Sequence, residues 1–175
     1  MTNIKEDVQT AIDQEDYTGA IQQIKRHAFD KAIETAKRES EPGESDNSSV
    51  MNALDAINDA RQYCSEDQTA RETLKETELR VYATAIQIHT QEAVGLMCYE
   101  NPNDEHISDA IAYMEKAREF AITSKDRGLI QIVKDDTERI IGFRFSHNME
   151  DEEDHVEREV EPNEAYFEFT NRVLR

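Results

Sequence analysis

Five histidines, two cysteines and a dense run of carboxylates are the side chains of this 175-residue sequence that could do chemistry. His27, His89, His106, His147 and His155 fall in different segments, and none belongs to an HExxH or another paired-histidine spacing. Glu152 and His155 form one Glu-x-x-His, the carboxylate–imidazole unit of di-iron bundles, but that site needs a second unit and two more buried glutamates. Cys64 and Cys98 lack a CxxC partner, which argues against a disulfide framework or a structural zinc site. The carboxylates of residues 150–161 have neither the glycine nor the spacing of an EF-hand loop and imply only diffuse cation binding. Neither GxxxxGK[ST] nor GxGxxG occurs, so there is no recognised phosphate cradle. The residues therefore point to a non-enzymatic protein, with no catalytic, metal or cofactor-binding residue to name.

Composition narrows the partners. The 39 acidic against 20 basic side chains give a formal net charge of -19, which repels phosphate backbones and anionic lipid, so neither nucleic acid nor a membrane is expected as a partner. The acid excess has two explanations, a halophilic surface that stays soluble in high salt or a functional acidic face, and lysine being scarcer than arginine fits the first. No apolar run approaches the roughly 20 residues of a spanning helix, and the opening "MTNIKEDVQTAI" has no signal-peptide core. A cytoplasmic protein is expected, or a virion component if the chain is viral.

The elements that must position these residues read as helices. Ile4, Val8, Ala11 and Ile12 share one face. After a turn at "DQED", so do Ala20, Ile21, Ile24, Ala28, Ala32, Ile33 and Ala36. Leu54, Ile57 and Cys64 form the next stripe. A break at "SEDQ", where Ser65 or Asp67 can cap, leads to a helix through Leu74, Val81, Tyr82, Ala85, Ile86, Ala93 and Met97. Ile107, Ala110, Ile111, Met114, Ala117 and Ala121 come next, and beyond a turn at "TSKDRG" follow Leu129, Ile132, Val133 and Ile140. Pro42, Pro102 and Pro162 sit in the polar connectors "SEPGESDNSS" (40–49), "ENPNDE" (100–105) and "NMEDEEDHVEREVEP" (148–162). The expectation is an all-α protein: a body of six helices in antiparallel hairpins over residues 1–147, an acidic linker over 148–162 and an extended C-terminal arm over 163–175.

Two segments repeat. "ALDAINDARQYC" and "AIAYMEKAREFA" both place a large aliphatic four residues after one alanine and three before another: Ala53, Ile57, Ala60 and Ala110, Met114, Ala117. "DYTGAIQQIKRHA" is a weaker third copy through Asp16, Tyr17, Ala20 and Ile24, with His27 in place of the second alanine. The pattern resembles the second helix of a tetratricopeptide repeat, although the copies are not spaced at the family's period of about 34 residues. The resemblance implies helical hairpins that present a groove to a peptide or partner protein.

The arm "NEAYFEFTNRVLR" concentrates Tyr166, Phe167 and Phe169, followed by Val173 and Leu174, in a chain with only 7% aromatics. Such residues are costly to leave in water and should dock on something. Strand-like alternation (Ala165, Phe167, Phe169) and a helical face (Tyr166, Phe169, Val173) are both open. The function expected is that of an adaptor or scaffold whose arm binds a protein partner or a neighbouring subunit of a homo-oligomer. A virion structural protein such as a head-to-tail connector is the alternative, and an acidic nucleic-acid mimic or helical enzyme is a third.

Overall fold

The computed structural model describes residues 4–41, 43, 45–64, 67–97 and 103–150, with Asp104 and residues 141–150 by their backbone alone. The fold is all-α, with six helices and no strand among the described residues: α1 (Ile4–Asp13), α2 (Tyr17–Glu39), α3 (Asn47–Tyr63), α4 (Gln68–Met97), α5 (Asp104–Ser124) and α6 (Arg127–Glu150).

Aspartate or asparagine starts each helix from α2 onward by accepting a hydrogen bond from a backbone N–H that the first turn leaves unpaired. Asp16 accepts from Gly19 at 2.8 Å, Asp46 from Ser49 at 2.8 Å and Asp67 from Thr69 at 3.3 Å. Asn103 accepts from His106 at 2.8 Å and Asp126 from Leu129 at 3.1 Å. A Cβ at Gly19 would fall 2.0 Å from Asp16 Oδ2, so a larger residue there would push the capping carboxylate aside. The 40–49 connector is shorter than its composition suggests: α3 begins at Asn47, directly after the Asp46 cap. The turn at "TSKDRG" is closed by Lys125, which adopts a left-handed conformation (φ 56°) and donates its N–H to the Ile122 carbonyl at 3.1 Å.

Contacts divide the chain into two units, Met1–Thr84 and Ala85–Arg175, and the boundary falls inside α4. In the first unit α1 packs on α2 and α2 on α3. Phe29 and Ile33 of α2 meet Ala60 of α3, with Ala70 and Leu74 of α4 against them. One to two turns along, Ala36 meets Ala53, Ala56 and Ile57 of α3 and Val81 of α4. Numbers rise along α2 and α4 as they fall along α3, so α3 is antiparallel to both. Two polar ties fix this register. The Thr84 hydroxyl donates to the carbonyl of Ser40, the C-cap of α2, at 3.1 Å, and Arg61 of α3 pairs with Glu78 of α4. In the second unit α5 and α6 form a hairpin whose core joins Ile86 and Ala93 of α4 to Ala110, Met114, Ala117 and Ala121 of α5 and to Val133 and Ile140 of α6.

Two expectations are corrected. Ile21 and Ile24 of α2 are 54% and 52% exposed, because the stripe drifts round this long helix: Phe29, Ile33 and Ala36 set the covered face, and the two isoleucines lie to one side of it. Ile132 is likewise exposed, since Val133 and Ile140 form the core face of α6. The backbone of α6 is helical through Glu150.

Candidate functional site

The residues assigned to partner binding, Tyr166, Phe167, Phe169, Val173 and Leu174, lie outside the described residues, as do most of the acidic linker, Cys98 and the Glu152/His155 pair. Among the histidines, His27 is exposed, His106 half-buried and His89 buried. Cys64 is half-buried at the C-cap of α3 against Ala60 and its neighbours. No group of three or more His, Cys, Asp or Glu that could hold a metal ion occurs among the described residues, and no helix there is long and apolar enough to cross a membrane.

The repeated alanine pattern forms core in both strong copies. Ala53, Ile57 and Ala60 on α3 and Ala110, Met114 and Ala117 on α5 are all at most 1% exposed. Small residues let the neighbouring helix approach, and the aliphatic between them fills the gap. The third copy differs: Ala20 is buried, but Ile24 and His27 face solvent.

Two features outside the regular core have chemistry of their own. His89 of α4 is 6% exposed and lies in an aromatic slot built by α5, stacked on Phe120 (ring centroids 5.6 Å apart, 10° between planes) and tilted against Tyr113 (5.9 Å, 32°). Its Nδ1 makes no hydrogen bond among the described residues. Burial holds its pKa below the ordinary histidine value and the charge of Lys116 lowers it further, while Glu92 opposes them. Lys116 itself stands 5.6 Å from the centroid of the Tyr113 ring. The arrangement keeps a neutral imidazole in an apolar wall.

The second feature is on α2. At about 100° per residue Tyr17, Ile21, Ile24 and Ala28 fall within about 60° of one another, forming one row over three turns. Tyr17, Ile21 and Ile24 are 62%, 54% and 52% exposed. From residue 17 to 28 the helix has no carboxylate. Lys25 and His27 are exposed on either side of the row and Lys31 continues it, while Arg26 is exposed on the opposite face of the helix. An apolar stripe edged with cations is therefore open on a chain of net charge -19. Sequence periodicity finds this stripe but assigns it to the core, and the charge asymmetry of the helix is the signal that could have separated the two. No family model matches the chain, and no curated protein and no solved structure is similar to it.

Proposed function

We propose that this chain is a non-enzymatic helical adaptor, with the face of α2 bearing Tyr17, Ile21 and Ile24 as one docking surface and the C-terminal arm over residues 163–175 as another. The observation that supports it is the exposed apolar row itself, since three large apolar side chains at helical spacing lose hydration when a partner covers them. The edging cations select the occupant: an acidic polypeptide segment that also brings aromatic or aliphatic side chains. Burying one isoleucine of the row contributes about 1.5–3 kcal/mol, so two or three anchors suffice for a specific, reversible contact.

Affinity capture from native lysate tests the reading, with the wild-type chain compared to the Ile21→Glu/Ile24→Glu double variant and to a chain ending after Glu150. Proteins retained by the wild type should be lost from the double variant while its helical circular dichroism is unchanged. An identical set of captured proteins on both chains would remove α2 as a docking surface.

A further inference from the structure

The acidic, apolar-bearing segment that the α2 face calls for is found at the start of α2 itself. We propose that two copies of this chain pair α2 against α2, antiparallel across a twofold axis, each covering the other's Tyr17, Ile21 and Ile24. This rests on the reading of α2 as a docking surface and names the partner.

The order of charges along the face carries the inference. Residues 13–24, "DQEDYTGAIQQI", place three carboxylates, Asp13, Glu15 and Asp16, ahead of the apolar row and contain no base. All three are exposed where α1 turns into α2. Beyond the row the sign reverses: Lys31 is exposed in line with Ile24, and Asp30, the one carboxylate of residues 17–33, lies on the far side of the helix. The face therefore runs from acidic through apolar to basic, and such a face is complementary to itself when reversed. Because the helical rise is constant, an antiparallel pair that sets Ile21 against Ile24 also sets Tyr17 against Ala28 and brings Lys31 level with Gln14 and Glu15 of the second copy. Every contact is then made twice, as an isologous interface requires. Lys25 and His27 stay at the edges of the pair, where salt screens like charges, and residues 17–28 bring no carboxylate to oppose the approach of two chains of net charge -19. Three large side chains from each copy make a small interface, so the dimer is weak and reversible.

Sedimentation equilibrium of the full-length chain from about 10 µM to about 1 mM, in about 0.15 M salt, tests the pairing. The expected result is a monomer–dimer equilibrium that Ile21→Glu/Ile24→Glu weakens about tenfold or more. Charge reversal then separates this geometry from any other apolar contact. Glu15→Lys alone and Lys31→Glu alone each set like charges opposite one another twice, and each should dimerise about threefold or more weakly than wild type, although the first lowers the net charge. An equimolar mixture of these two variants should regain association, because in the mixed pair position 15 of each chain again meets the opposite charge at position 31. A wild type that stays monomeric at about 1 mM, a dimer indifferent to Ile21→Glu/Ile24→Glu, or a mixture no tighter than its separate components would each overturn the proposal. Failure here is distinct from failure of the adaptor reading: captured proteins that still depend on Ile21 and Ile24 leave the α2 surface standing with a different occupant.

Discussion

His89 shows how burial converts an ordinary side chain into a pH-dependent one. Its ring is stacked on Phe120 with Nδ1 unpaired among the described residues, and its folded-state pKa lies below the ordinary histidine value. A histidine shifted in this direction contributes full stability above the unfolded value. That stability is lost as pH falls below it, because the unfolded chain then binds a proton that the folded chain resists. His89→Phe keeps an aromatic ring in the slot and removes the titration. Chemical denaturation of both proteins from about pH 7.5 to about pH 5.5 should show the variant's advantage over wild type widening as pH falls. A constant gap would mean that the imidazole is solvated. The sequence displays His89 as one of five scattered histidines, and its burial depends on Tyr113 and Phe120, which lie a helix away in sequence and offer no spacing signal. Phe29 escapes in a similar way: a row of alanines and isoleucines beside it gives the stronger periodicity, although the phenylalanine is what α3 and α4 pack on.

At the level of helices, periodicity locates six elements and the repeated motif locates two of their tightest faces. Ala117 is 0% exposed in the α5 core, whereas Ala112 on the same helix faces solvent. Ala117→Leu should overpack the contact and cost about 1–3 kcal/mol, while Ala112→Leu should leave the urea midpoint nearly unchanged. Equal stability of the two variants would show that the alanine row does not set helix approach. Periodicity says that a helix has an apolar stripe, not whether a neighbour covers it. For α3 and α5 the stripe is core, and for the first half of α2 it is surface. Helix starts were legible in principle from Asp16, Asp46, Asp67, Asn103 and Asp126. Acids are so frequent in this chain that a capping aspartate does not stand out from a solvating one. The arm residues belong to neither class, since what they touch is not written in their spacing.

Across the whole molecule, charge outweighs every other compositional feature. With 39 acids against 20 bases, self-repulsion opposes the compact state and salt relieves it. If the acid excess is an adaptation to brine, the thermal midpoint should climb steadily from dilute buffer to molar sodium chloride. A flat or falling midpoint would leave the acidity to a functional role. The division of contacts between Thr84 and Ala85 falls in the middle of the unbroken helix α4, so no linker peptide separates the two units. A protease seeking non-helical backbone finds none at that boundary and finds some at Glu41, Gly43 and Ser45, between α2 and α3. Limited digestion there would break the chain between α2 and α3 while their packing holds the pieces together, so the denatured fragments will cut across the first contact unit, and a gene divided at codon 84 would sever helix α4.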